Sequence, residues 1–157
     1  MYTAKTFQTK VVDAALRNLG LYGEGMADLL LGTALHESGG FKWNKQRGGG
    51  PARGYFQMEI ATHDDIWANY LKYHKLLAGA VKKMVPAKQE ATAQLMLTSD
   101  LYAAAMAAVH YKRKGVAVPS KYTVEDLAKL WKKSYNTLAG AGTTDEFVAD
   151  WNNYAKS

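Results

Sequence analysis

The sequence predicts a mainly α-helical domain of about seven helices, with one small irregular or β element near residues 53–58. Three observations carry this. Apolar residues recur at three- and four-residue spacing through most of the chain. Ala, Leu, Lys, Met and Tyr are plentiful and there are only 3 Pro, a composition that favours helix. The 157 residues can bury a respectable core as one domain, and no internal repeat, linker or low-complexity tail divides them.

The spacing predicts a first helix over 5–19, with Phe7, Val11, Val12, Ala15, Leu16 and Leu19 inward and Gly20 and Gly23 ending it. A second helix over 25–37 carries Met26, Leu29, Leu30, Ala34 and Leu35; it is apolar nearly all round and should be central. Residues 39–53 read as a glycine-rich loop with Pro51, in which Phe41 and Trp43 either line a groove or plug the loop onto the core. Residues 55–58 are too short for a helix and read as a strand.

Thr62 reads as an N-cap, with Asp64 and Asp65 in a first turn where carboxylates complement the helix dipole. That helix is expected to run through Ile66, Trp67, Tyr70, Leu71, Leu76, Leu77 and Val81 and to stop before Pro86, with a further helix over 88–97. Ser99 or Asp100 caps the next, over 101–114, whose run of small residues from Ala103 to Ala108 lets backbones approach closely and implies depth. Thr123, with Asp126 three residues on, starts a helix whose inner face is Leu127, Leu130, Trp131 and Tyr135. A turn over 138–142 leads to a last helix, capped by Thr143 or Thr144, through Phe147, Val148, Trp151 and Tyr154.

Composition excludes several chemistries. There is no Cys, so disulfides and thiolate metal sites are out. The four histidines, His36, His63, His74 and His110, lack zinc-ligand spacing, and no phosphate-loop or Gly-x-Ser-x-Gly pattern occurs. No metal and no cofactor are expected. The N-terminus has no apolar signal core behind it, and no run approaches a membrane span, so neither a signal peptide nor membrane insertion is expected. The net charge of +6 favours an anionic partner. Its clusters, Lys82-Lys83, Lys112-Arg113-Lys114 and Lys132-Lys133, form no stripe and read as solvated helix faces, which argues against nucleic acid.

Glu37 is the residue that carries chemistry. It stands where an apolar helix gives way to Ser38-Gly39-Gly40. A carboxyl there is desolvated yet reachable, and desolvation raises its pKa. An acid of raised pKa keeps its proton near neutral pH and can hand it to a leaving oxygen. Gln57, whose amide both donates and accepts, can bind a sugar acetamido group. Glu59 shares its face if that segment is extended, and so can line the same groove.

Four pieces follow in order: Glu37-Ser38; Gly54-Tyr55-Phe56-Gln57-Met58; the alanine-rich helix ending in Tyr111; and Tyr135-Asn136 followed by Ala139-Gly140. In this order they resemble the soluble lytic transglycosylases, relatives of goose-type lysozyme, and the stretch 57–71 looks like phage-encoded members. The chain departs from the family at Ile60, where Pro is common, and in the displaced Ala-Gly pair. The resemblance implies a lysozyme-like fold over 1–157. It implies cleavage of the β-1,4 bond between N-acetylmuramic acid and N-acetylglucosamine in peptidoglycan, with Glu37 as sole acid and then base and a 1,6-anhydro product. Ser38, Tyr111, Tyr135 and Asn136 would hold the site or the substrate. Their alternative is ordinary packing or, for Ser38, satisfying the helix end. The implied setting is a phage virion or infected host, acting on the wall in the periplasm, with other virion proteins as possible partners. A hydrolytic muramidase with a second carboxylate, and a non-catalytic wall-binding virion protein, are the competing expectations; a small basic nucleic-acid binder is the least favoured.

Overall fold

Helix follows the apolar spacing through most of the computed structural model, which describes residues 1–46, 48–136 and 140–156. Helix α1 (Ala4–Phe7), a π turn (Gln8–Val12) and α2 (Asp13–Leu19) run on as one stretch. A capping box between Thr3 and Thr6 starts it and left-handed Gly20 closes it. Helix α3 (Glu24–Glu37) follows. Strands β1 (Ala52–Arg53) and β2 (Met58–Glu59) pair antiparallel, with Ala52 opposite Glu59. Then come α4 (Ile60–Asn69), a 3-10 turn (Leu71–Tyr73), α5 (Lys75–Lys82), α6 (Leu95–Thr98), α7 (Asp100–Arg113), α8 (Val124–Trp131), a second π turn (Lys132–Asn136) and α9 (Thr144–Tyr154). The architecture is mainly α with one small antiparallel sheet. None of the described helices is long and apolar enough to cross a membrane.

Helices α3 and α7 form the centre. Leu29, Leu30, Leu31, Ala34 and Leu35 of α3 are buried, and α7 is buried at every residue from Tyr102 to Val109. The small side chains of that run let α2, α3, α4 and α5 all pack against one helix. Each fully buried leucine contributes roughly 1.5–3 kcal/mol by leaving water. The one hydroxyl inside α3 is satisfied: Thr33 Oγ1 donates to Leu29 O and lies 2.7 Å from the Tyr111 hydroxyl. Three caps match expectation, Ser99 on α7, Thr123 on α8 and Thr143 on α9.

Four expectations need correction. Residues 55–57 are the turn of the hairpin and not a strand; the strands flank them, because Gly54 (φ +77°) and Gln57 (φ +48°) are left-handed and reverse the chain. Thr62 is not a cap. Helix α4 already begins at Ile60, leaving β2 directly, and Glu59 at the cap position makes no side-chain capping bond. The long helix after it breaks at Tyr70 and His74. Ile66 and Leu71 would lie about 140° apart on a straight helix, and the break lets both be buried while Leu76 is left 94% exposed. Finally, of the segment 88–97 only 95–97 are helical, as the start of α6 (Leu95–Thr98). Lys88, Gln89 and Glu90 are exposed, so no buried face repays ordering them as helix. Leu138 and Ala139, in the expected turn 138–142, lie outside the described residues.

A Cβ on Gly54 would sit 2.6 Å from Met96 O, whereas one on Gly115, equally left-handed at φ +72°, meets nothing within 4 Å. Gly54→Ala should therefore cost about 1–3 kcal/mol more than Gly115→Ala, the steric part alone, read from urea midpoints at unchanged m-value.

Candidate active site

Helix α3 ends on Glu37 for a local reason. Ser38 is fully buried; its Oγ donates to Ala34 O at 2.6 Å and accepts from Phe41 N at 2.8 Å, satisfying the helix end. Gly39, Gly40 and Phe41 then take three successive left-handed conformations. For Phe41 this backbone is strained. It is held there because its ring is buried against Phe7, Tyr2 and Tyr55. Of the two readings of that loop aromatic, Phe41 is a plug on the core.

The Glu37 side chain stands half-buried over the helix end. Its Oε2 accepts a 2.9 Å hydrogen bond from Trp131 Nε1, across 94 residues of sequence. Trp131 is wholly buried and cannot turn away, since His36 meets it edge-on at 4.5 Å and Phe147 covers it at 5.4 Å. His36 in turn is anchored by a 2.7 Å contact to Asp150. Burial pushes the Glu37 carboxyl above the ordinary 4.5; the neighbouring His36 and the Trp131 N–H pull the other way without cancelling it.

A cleft of about 560 Å³ opens beside Glu37. The hairpin supplies one wall through Gln57, Met58 and Glu59, and the second π turn supplies the other through Tyr135 and Asn136. The two walls are tied together: Tyr135 donates its hydroxyl proton to Phe56 O at 2.7 Å. A π turn widens the helix by one residue, and here it carries both wall residues at the end of α8. Lys132 fixes the far rim. Its ammonium donates to Asn136 Oδ1, Gly140 O and Gly142 O at 2.7–2.9 Å, using all three protons.

Five of the seven expected site residues thus share one cleft: Glu37, Gln57, Glu59, Tyr135 and Asn136. Ser38 and Tyr111 do not line it. Ser38 serves the backbone as described. Tyr111 is fully buried behind Tyr135, ring centres 5.3 Å apart, with its hydroxyl on Thr33. Its place is structural support, which a tyrosine ending an alanine-rich buried helix can supply. Asn136 spends its amide on the rim, donating to Ala141 O as well as accepting from Lys132. Ala139, of the expected Ala-Gly pair, lies outside the described residues.

Sequence reasoning missed three participants. Trp131 was expected as plain core, and Lys132 as a solvated face. The Lys132–Asn136 spacing of four was the available signal for the second; nothing local marks the first. His110 lines the cleft beside Tyr135, its ring edge-on at 5.3 Å. Burial, with Lys114 and Arg113 nearby, pushes its pKa down to about 4, so it stays neutral at physiological pH. Asp64 and Asp65 lie outside this cleft. Asp64 contacts His63, and Asp65 pairs with Arg113 and Asn69. Among the described residues no group of His, Asp or Glu could hold a metal ion.

No family model, curated protein or solved structure matches this chain.

A stability prediction follows from the Glu37 environment. Its folded pKa lies above the unfolded value, so its contribution is intact below about 4.5 and is lost as pH rises through the folded value. Glu37→Gln keeps an acceptor for Trp131 and cannot ionise. At pH 7 this variant should be more stable than the parent by about 1 kcal/mol. The gap should close near pH 4, as read from thermal melts at both values.

Proposed function

We propose that this protein cleaves the β-1,4 glycosidic bond between N-acetylmuramic acid and N-acetylglucosamine in bacterial peptidoglycan, with Glu37 as the proton donor. The observation that carries the reading is Glu37 itself: a desolvated carboxyl of raised pKa, aimed by a buried tryptophan, on a cleft with amide and hydroxyl walls. Its order of motifs resembles the soluble lytic transglycosylases, and that resemblance supplies the substrate.

The chemistry needs two proton transfers, one from Glu37 and one back to it. Protonated Glu37 gives its proton to the bridging oxygen, the bond from C1 to that oxygen breaks, and the leaving sugar departs as a neutral alcohol. Positive charge develops at C1 while Glu37 becomes a carboxylate within reach of it. The 6-hydroxyl of the muramic residue then bonds to C1, with or without prior help from the acetamido oxygen. Glu37 takes the hydroxyl proton, which closes the 1,6-anhydro ring and restores the acid. Gln57 donates one amide proton to Gly54 O at 2.8 Å, which orients the side chain and leaves its carbonyl and second proton for an acetamido group.

Hydrolysis is the second reading, and Glu59 is the observation that favours it. It is the other carboxylate on the cleft, exposed at the end of β2, where it could activate water. The setting we propose is that of a phage-borne enzyme acting on the host wall.

The test is a zymogram on purified peptidoglycan with mass spectrometry of the fragments. Glu37→Gln should lose activity by about a hundred- to ten-thousand-fold, and parent fragments should end in anhydromuramic acid. Reducing ends, with loss of activity in Glu59→Gln, would establish hydrolysis instead. A Glu37→Gln protein that lyses walls like the parent would sink both readings. The alkaline limb of the pH profile should track Glu37. Trp131→Phe removes a hydrogen bond that stabilises the carboxylate, so the limb should move to higher pH while some activity survives.

A further inference from the structure

The net charge is less scattered than the sequence suggests. Between Ile66 and Gln89 the chain carries five lysines, Lys72, Lys75, Lys82, Lys83 and Lys88, and no acid, against a net charge of +6 for the whole protein. The break in the helix after Asn69 gathers most of this charge at one corner. Residues 72–76, Lys-Tyr-His-Lys-Leu, are exposed without interruption. Among the described residues none of the five lysines is in an ion pair.

The same corner exposes apolar bulk. Leu76 is 94% and Tyr73 70% exposed, and with Met1 and Tyr22 they are the large hydrophobic side chains left in water among the described residues. Beside them runs a groove of about 690 Å³ lined by Lys72, Lys75 and Lys82, with Trp67 and Leu71 among its walls. One acid, Asp64, also lines it, in contact with His63, so three lysines face a single carboxylate there. Lys82 lies 5.9 Å over the Trp67 ring and Lys72 5.8 Å over that of Tyr73, so the cations sit on aromatic faces. Glu37 and its cleft share no lining residue with this groove.

We propose that this corner docks the protein on the surface of a bilayer carrying anionic phospholipid. The lysines complement the headgroup phosphates, and Tyr73 and Leu76 enter the boundary between headgroups and acyl chains. The apolar pair decides between partners. A dissolved polyanion would match the lysines and leave Tyr73 and Leu76 in water, whereas a headgroup layer takes both. The contact is peripheral and does not rest on the glycan-cleaving reading.

The test is co-sedimentation of the full chain with vesicles of phosphatidylcholine alone or with about a third phosphatidylglycerol, at physiological salt. The parent should bind the anionic vesicles and leave the neutral ones, and binding should weaken as salt rises. Replacing Lys72 and Lys75 by Gln should lower partitioning at least about tenfold. Tyr73→Ser with Leu76→Ser, which keeps every charge, should lower it about tenfold and leave binding to inorganic polyphosphate unchanged. All four side chains are exposed, and circular dichroism checks that the variants fold. The Glu37→Gln protein should bind vesicles as the parent does, whatever its effect on walls. No binding to anionic vesicles overturns the proposal. So does binding that survives loss of Tyr73 and Leu76, which would mark a general polyanion surface.

Discussion

A single hydrogen bond, from the Trp131 indole to the Glu37 carboxyl, joins the two halves of the site. One partner ends the central helix and the other ends α8. A carboxyl in a dry place has few ways to keep one orientation, and a tryptophan packed between His36 and Phe147 gives it one. The bond also sets a balance. Desolvation alone would drive the acid towards its neutral form, and the indole N–H offers the anion a partner when the proton leaves. The release and recovery of a proton that we propose for Glu37 would draw on both influences.

Around that bond, the rest of the site is held by backbone carbonyls. Tyr135 reaches Phe56 O, Gln57 reaches Gly54 O, and Lys132 reaches the carbonyls of Gly140 and Gly142. Side chains that would otherwise be read as ligands for a substrate are spent on fixing walls, most plainly Asn136. This makes a rigid cleft from short loops and a two-residue hairpin, elements that have little stability of their own. Rigid walls favour positioning over adaptation. A separate group of lysines, without ion pairs among the described residues, begins at the exposed turn between α4 and α5, beside the exposed Tyr73 and Leu76.

Much of the fold was legible because its signals are local. The caps at Ser99, Thr123 and Thr143 are bonds between residues three apart, so side-chain type and spacing suffice. The depth of α3 follows from its being apolar nearly all round, and that of α7 from its run of small residues from Ala103 to Ala108. Other features obeyed tertiary demands. The break at Tyr70–His74 exists so that Ile66 and Leu71 can both be buried, and no residue in that stretch announces it. At the hairpin turn 54–57, Met96 O packs so close to Gly54 that a side chain there would collide with it, a demand set by a residue far away in the sequence. Ser38 and Tyr111 sit in suggestive positions, yet burial turns both into supports, and burial is not written in one sequence.

By itself, then, the sequence determined the helical class, most helix ends and the placing of an acid where apolar helix meets glycine. These depend on neighbours within a turn or two, whose geometry the chain carries with it. Only the tertiary structure decided which distant groups meet that acid: Trp131 as its donor, Tyr135 and Gln57 as its walls, Glu59 as the remaining carboxylate on the cleft. Such contacts form when separate helices pack. Their identity depends on crossing angles and side-chain volumes summed over the whole core, which no short stretch of residues specifies.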